Sequence, residues 1–244
     1  MTIIFGHRGA AGTHPENTMP SFQAAIDLGA DGVELDVHLS KDGIPVVIHD
    51  ETVDRTTNGT GYVKDLTYAE LQQLDACFLF PEWSGKASVP SLDQVAEWIR
   101  PLNVKLNIEL KNDRIHYGQI EEKVISIIEK YTLESRVILS SFNHDSLVTC
   151  YHISPHIERG ALIHERLYQP WEYAKTIPAA SVHPYFLSAD QSMIAESQAH
   201  GVMVRPYTVN DEQMMKDLMK ADCAGFFTDY PEIAVRIRNS LKND

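Results

Sequence analysis

The chain has 244 residues, 43% of them apolar, enough for one sizeable core and close to the length of a single-domain barrel of alternating strands and helices. A formal charge of -13 opposes nucleic-acid and anionic-membrane partners, because the long-range field repels polyanions; any phosphate ligand must be held by charges at contact distance. Residues 1–6 enter an apolar run with no basic leader, and Cys77, Cys150 and Cys223 show neither zinc nor disulfide spacing, so a cytoplasmic protein without a membrane span is expected.

Short apolar runs predict strands over 2–6, 31–37, 105–110, 137–141, 158–163, 180–186, 202–209 and 225–228. Helical spacing predicts helices over 19–28, 92–99, 120–131, 193–200 and 211–221. Alternation of this kind implies parallel strands joined by right-handed crossovers, and eight such units close a TIM-type (β/α)8 barrel. An open doubly wound sheet is the competing arrangement. The whole chain, 1–244, is read as one catalytic barrel domain.

The separation of Asp36 from Lys105 is too long for one crossover, so an insertion is expected between the second and third strands, at about 43–90. It holds an extended segment over 44–48 with Pro45 at its start and a turn at Asn58-Gly59-Thr60-Gly61. A short helix near 68–74 and a loop carrying Phe78, Phe80 and Trp83 follow. The glycine-containing turn lacks the Lys-Ser or Lys-Thr of a nucleotide cradle. Lys242-Asn243-Asp244 is expected to be a frayed end.

Side chains alternate across a strand, so Glu34 and Asp36 share one face while Val33, Leu35 and Val37 share the other. Asn107, Glu109 and Lys111 divide in the same way from Leu106, Ile108 and Leu110. In a barrel the polar set faces inward near the carboxyl ends of the strands. Three carboxylates brought together there repel one another and lose solvation, a penalty that a hard divalent cation removes; all-oxygen ligands favour Mg²⁺ or Ca²⁺ over zinc. The competing reading is a set of ordinary strand ion pairs, with Glu109 and Lys111 simply paired to each other.

His7 and His49 both end apolar runs, and near a metal one suits protonation of a leaving alkoxide while the other suits removal of a proton from the nucleophile. Asp50 either orients His49 or is a solvated turn acid. Arg8 offers a planar fork for phosphate, Lys111 a point charge, and Gly9 a close backbone approach to the ligand. Asn17 or Thr18 is expected to cap the first helix, with Pro20 in its first turn. Ser140 and Ser141 lack a nucleophile elbow. Phe142, Tyr185, Phe186 and Tyr207 either wall the substrate or pack the rim, and His38 carries no expectation.

The motifs His7-Arg8-Gly9, Pro15-Glu16-Asn17-Thr18, Glu34-Leu35-Asp36-Val37 and Ser40-Lys41-Asp42-Gly43, with Pro45-Val46 before His49-Asp50, resemble those of glycerophosphodiester phosphodiesterases of the small soluble bacterial type. Asp54-Arg55-Thr56-Thr57-Asn58-Gly59, Asn107-Ile108-Glu109-Leu110-Lys111 and Thr228-Asp229-Tyr230-Pro231 extend the resemblance over almost the whole chain, in order. It implies metal on Glu34, Asp36 and Glu109, His7 and His49 as acid and base, and Arg8 and Lys111 on the phosphate. It also implies cleavage of a glycerophosphodiester, such as glycerophosphocholine or glycerophosphoethanolamine, into sn-glycerol 3-phosphate and an alcohol. A glycerol hydroxyl attacking phosphorus would form a cyclic phosphate that water then opens. Ser40 stands where the family usually has threonine and Tyr207 where tryptophan is common.

Two other functions fit the same residues. A lysophospholipase D would need an apolar acyl groove, for which Phe78, Phe80 and Trp83 are candidates. A barrel that binds phosphate esters or metal without turnover would have no need for two histidines. The expected partner is a small-molecule substrate, with no nucleic acid and no stable membrane association, and a homodimer stays open.

Overall fold

A computed structural model describes residues 1–242, leaving Asn243 and Asp244 of the expected frayed end outside the described residues. Its elements in chain order are β1 (Ile3–Gly6), α1 (Met19–Asp27), β2 (Gly32–Leu39), β3 (Pro45–Val47), α2 (Tyr68–Leu71), α3 (Leu92–Ile99), β4 (Lys105–Leu110) and α4 (Ile120–Lys130). There follow β5 (Val137–Ser141), α5 (His144–Ile153), β6 (Glu158–Ile163), α6 (Pro170–Thr176), β7 (Ser181–Pro184), α7 (Gln191–Ala199), β8 (Met203–Val204), α8 (Glu212–Lys220), β9 (Gly225–Thr228) and α9 (Pro231–Leu241). Apart from β3, the strands pair in parallel in the order β8-β7-β6-β5-β4-β2-β1-β9. Val209 N–H donates to Phe227 O at 2.8 Å and Phe227 N–H to Pro206 O at 3.0 Å, which brings the two ends of that order together into a nearly closed barrel. The barrel reading therefore holds and the open sheet does not.

Two apolar layers surround the barrel. Val33, Leu35 and Val37 of β2 and Leu106, Ile108 and Leu110 of β4 are buried in one cluster with Phe22 of α1, Val95 and Ile99 of α3, and Val124 and Ile128 of α4. On the other side Val182, Val204 and Phe226 pack with Ile194, Met215 and Ala234. Each buried aliphatic side chain contributes about 1.5–3 kcal/mol. Phe5, Ile138 and Phe227 fill the lumen.

Local chemistry sets several element boundaries. Thr18 is the cap of α1, accepting from Ser21 N–H at 3.4 Å, and Pro20 sits in the first turn. Thr67 with Glu70 and Ser91 with Gln94 form capping boxes on α2 and α3. The expected strand over 202–209 is regular only at Met203–Val204, because Pro206 has no N–H to offer a ladder. The chain nevertheless continues along β7 through Arg205 N–H to Val182 O and Tyr207 N–H to Pro184 O, both at 3.0 Å. Helices α5, α6 and α9 lie outside the predicted set; α6 and α9 each open on a proline, a helix-start signal that the apolar spacing does not reveal.

The insertion carries β3, which pairs antiparallel with β2, Pro45 lying opposite Leu39. Val46, Ile48, Val53, Val63, Leu71, Ala76 and Val89 give it a small core of its own. Among the described residues no helix is long and apolar enough to cross a membrane.

Inside the lumen, Gly160 of β6 lies so near His183 of β7 that a Cβ would overlap the imidazole ring. We expect Gly160→Ala to destabilise the fold by about 1–3 kcal/mol through overpacking. Urea unfolding checks this: the midpoint should fall with an unchanged slope, and a wild-type midpoint would show that the lumen has slack there.

Candidate active site

The register of β2 against β4 places Glu34 opposite Asn107 and Asp36 opposite Glu109, so the inward faces of neighbouring strands meet as three carboxylates. One oxygen from each of Glu34, Asp36 and Glu109 lies within 4.8 Å of the others, and all three residues are at most 9% exposed. The donor set is all oxygen, its members are nearly dry, and their mutual repulsion is relieved by a hard divalent cation, so the residues fit such an ion.

Each carboxylate is held separately. Arg8 N–H donates to Glu34 Oε2 at 2.9 Å, Asn17 Nδ2 to Asp36 Oδ2 at 2.8 Å, and Lys111 Nζ to Glu109 Oε1 at 2.8 Å. Burial pushes Glu34 well above the usual carboxylate range, and repulsion from Asp36 and Glu109 adds to the shift. Glu109 is raised by burial too, partly countered by Lys111. Asp36 is equally buried but held low by Arg8, His49 and Lys111. Burial opposes the charges of Arg8 and Lys111, yet the surrounding carboxylates more than offset it and keep both cations protonated.

Both expected histidines stand at the rim with a carboxylate behind them. His7, which follows β1, pairs through Nδ1 with Asp229 Oδ1 at 2.7 Å; His49 pairs through Nδ1 with Asp50 Oδ1 at 2.6 Å. Asp50 therefore orients His49 and is not merely a solvated turn acid. Lys111 Nζ lies 3.3 Å from His49 Nε2. An ammonium has only hydrogens to give, so Nε2 accepts and the proton of a neutral His49 sits on Nδ1. His7 also lines a small cavity with Glu34, Asn107, Glu109, Leu162, His183 and Tyr207.

Arg8 Nη1 donates to Glu16 Oε1 at 2.9 Å, and its Nε lies 3.4 Å from Asp36 Oδ2, near enough for an ion pair but not aligned for a hydrogen bond. The structure thus gathers His7, Arg8, Glu34, Asp36, His49, Glu109 and Lys111 at one end of the barrel. Tyr207 borders the cavity and meets Phe142 edge-on at 5.9 Å and Tyr185 at 6.2 Å, whereas Phe186 packs into the outer core. A wider apolar groove of about 530 Å³ opens beside it along the β6–α6 connection, lined by His144, Leu162, Ile163, His164, Tyr168 and Tyr173 among others. Leu162 lines both cavities.

Some supporting residues take roles that the sequence did not indicate. Asn17 does not cap α1; it grips Asp36 instead, with its backbone in the left-handed region at φ 56°. Gly9, at φ 90°, is also required by packing, because a Cβ there would overlap Ser21 of α1. His38 is fully buried and joins Tyr117 Oη at 2.9 Å to His49 O at 3.0 Å, fixing the backbone of the rim histidine; burial holds its own imidazole below the usual range. Ser140 accepts from Asn107 Nδ2 at 2.8 Å, and Ser141 donates to Leu110 O at 2.8 Å, structural roles that agree with neither being a nucleophile.

The model of the glycerophosphoryl diester phosphodiesterase family matches residues 7–233. A glycerophosphodiester phosphodiesterase of Bacillus altitudinis is 45% identical, covering 99% of this chain and 100% of the relative. One from Caldanaerobacter subterraneus is 43% identical over 97% of each chain. The structure of a phosphodiesterase from Oleispira antarctica, in complex with the product sn-glycerol-3-phosphate, superposes with a TM-score of 0.86 at 30% identity, covering 99% of this chain and 97% of that one.

The raised carboxylates predict how metal-free protein responds to pH. Glu34 and Glu109 bind protons more tightly when folded than when unfolded, so the folded state is favoured at low pH and that advantage is lost as pH rises through their raised values. A cation competes with those protons. Added Mg²⁺ or Ca²⁺ should therefore raise the Tm of chelator-treated protein more at pH 8 than at pH 5, and Glu34→Gln should reduce the increment; equal shifts at both pH values would sink the assignment.

Proposed function

We propose, for a chain that belongs to the glycerophosphoryl diester phosphodiesterase family and is a glycerophosphodiester phosphodiesterase, that Glu34, Asp36 and Glu109 hold a Mg²⁺ or Ca²⁺ ion beside His7 and His49 as the acid–base pair. The substrates we infer are glycerophosphocholine and glycerophosphoethanolamine, cleaved to sn-glycerol 3-phosphate and the alcohol. The observation that carries the reading is the convergence of three buried carboxylates within 4.8 Å, flanked by two carboxylate-backed imidazoles.

The bound cation would supply Lewis-acid polarisation of the phosphoryl group and charge compensation for its carboxylate ligands. The chain's own groups do the rest. Arg8, braced by Glu16, presents its fork to phosphate oxygens, and Lys111 adds a point charge that neutralises the developing negative charge. His49 Nε2, freed as the Lys111 ammonium turns from it to the phosphate, takes the proton of a glycerol hydroxyl as that oxygen attacks phosphorus. His7, with Nδ1 on Asp229, gives a proton to the departing alkoxide. The cyclic phosphate is then opened by water with the two roles exchanged, so that protons balance over the cycle. We assign the leaving alcohol to the groove beside Leu162, where Tyr168 and Tyr173 supply the aromatic lining that a choline or ethanolamine cation calls for. The buried, free thiols of Cys77, Cys150 and Cys223 support a reducing cytoplasm as the setting.

A lysophospholipase D reading draws on Phe78 and Leu79 of the insertion, which are 60% and 53% exposed and could receive an acyl chain. Trp83, by contrast, rests against His14 with ring centroids 4.9 Å apart. Rates on lysophosphatidylcholine and glycerophosphocholine compared under defined Mg²⁺ and Ca²⁺ separate the two, and a faster rate on the lipid would overturn our substrate class.

His7→Ala and His49→Ala should each lower kcat by about 10²–10⁴-fold, and EDTA should abolish turnover until Mg²⁺ or Ca²⁺ is restored. Release of choline from glycerophosphocholine reads all three. Full activity in chelator removes the metal from the mechanism, and undiminished rates in both variants remove the histidines.

A further inference from the structure

We propose that Arg55, which the insertion contributes, is a positioning residue that locks the proton acceptor His49 and the phosphate-binding Arg8 into one arrangement. The inference rests on the roles just proposed for those two residues. Arg55 bonds two carboxylates at once. Its Nη1 and Nη2 donate to Glu16 Oε2 and Oε1 at 2.7 and 2.8 Å, while its Nε and Nη2 donate to Asp50 Oδ2 and Oδ1 at 2.7 and 3.1 Å. Each of those acids uses an oxygen for the site: Glu16 Oε1 accepts from Arg8 Nη1 at 2.9 Å, and Asp50 Oδ1 meets His49 Nδ1 at 2.6 Å. A continuous chain, Arg8 to Glu16 to Arg55 to Asp50 to His49, therefore runs between the loop after β1 and the segment after β3.

Stability does not account for this construction. The Arg55 side chain is 40% exposed, and ion pairs of that kind contribute only about 0–1 kcal/mol. Geometry accounts for it better. A guanidinium is a rigid plane with five donors, so two carboxylates bonded along its edges cannot rotate independently; a lysine has one flexible point of attachment and cannot fix both. Glu16 and Asp50 belong to separate segments and share Arg55, and misplacement of a reacting group by about 1 Å is enough to cost on the order of 10²-fold in rate. The charges facing Arg55 are Glu16 and Asp50, with Arg8 and His49 one step beyond. Against the cost of burial, Arg55 and Arg8 hold Glu16 ionised, and His49 and Arg55 do the same for Asp50.

The test is kinetic. Arg55→Met should lower kcat about 10–100-fold and raise KM severalfold for glycerophosphocholine, with Arg55→Lys in between. Because the two arms of the clamp act on different groups, the losses should separate in double-mutant cycles. In a Glu16→Gln background, Arg55→Met should leave KM where Glu16→Gln alone puts it and still lower kcat; in an Asp50→Asn background it should leave kcat unchanged and still raise KM. Wild-type kcat and KM in Arg55→Met, or additive losses in both cycles, would overturn the clamp. Should Arg55→Met fail to fold, the same cycles run with Arg55→Lys decide between the same outcomes. Arg8→Ala and His49→Ala measured alongside distinguish failure of the clamp from failure of the roles beneath it: if they keep full activity, the roles of Arg8 and His49 fail; if they are slow while Arg55→Met is not, the clamp alone fails.

Discussion

Three acidic side chains held within 4.8 Å in a nearly dry lumen are the constraint around which this barrel is built. Their repulsion is a consequence of strand geometry: a parallel register that sets Asp36 beside Glu109 cannot avoid it while both faces of β2 and β4 are buried. The fold meets the problem with fixed cations and donors. Arg8 and Lys111 each serve two of the carboxylates and Asn17 a single one, Asp36 being common to all three, and the divergent titration of Asp36 and Glu34 records which acid receives the most help. Two fixed cations against three acids still leave a deficit of positive charge, which is the physical reason for assigning a metal to the centre.

Whatever depends on local periodicity was visible in the sequence. Alternation in Glu34-Leu35-Asp36 and Asn107-Ile108-Glu109-Leu110-Lys111 reveals which residues face the lumen, since a strand has only two sides. The barrel follows from the succession of apolar runs and helical segments. Supporting contacts stayed hidden because they join distant parts of the chain: His7 and Asp229 are separated by 222 positions, and nothing in the sequence near either residue specifies the pairing. Asn17 departs from its expected role for a related reason. Its side chain suits a helix cap, and only the closure of the barrel puts Asp36 within its reach, leaving Thr18 to cap α1. Proline explains three further differences, with Pro206 shortening β8 and Pro170 and Pro231 opening helices that apolar spacing does not mark.

The segment between β2 and β4 is more than a loop. A core of seven buried apolar residues lets it hold shape against the barrel, and β3 anchors it to β2 by antiparallel pairing. The segment that follows β3 delivers His49, Asp50 and Arg55, so the site is assembled from the parallel frame on one side and this appended lobe on the other. His38 ties the two together: it belongs to β2, yet its ring bonds to the carbonyl of His49. Burial keeps that ring neutral, which suits a residue whose task is to hold a backbone in place.

The chain's histidines divide by environment, and the division carries functional meaning. His183 and His38 lie fully within the structure without an acid against the ring, so burial holds both below the ordinary imidazole range and fixes them as neutral packing and hydrogen-bonding groups. His7 and His49 keep 17% and 30% of their side chains open to solvent and back onto Asp229 and Asp50 through Nδ1. A carboxylate at that nitrogen sets the tautomer, turns Nε2 toward the acidic centre, where that of His49 meets Lys111, and faces the positive charge that develops when the ring takes up a proton. Access, orientation and charge compensation thus coincide at two rings, and both stand beside the acidic centre. That coincidence distinguishes them from the structural imidazoles of the same barrel.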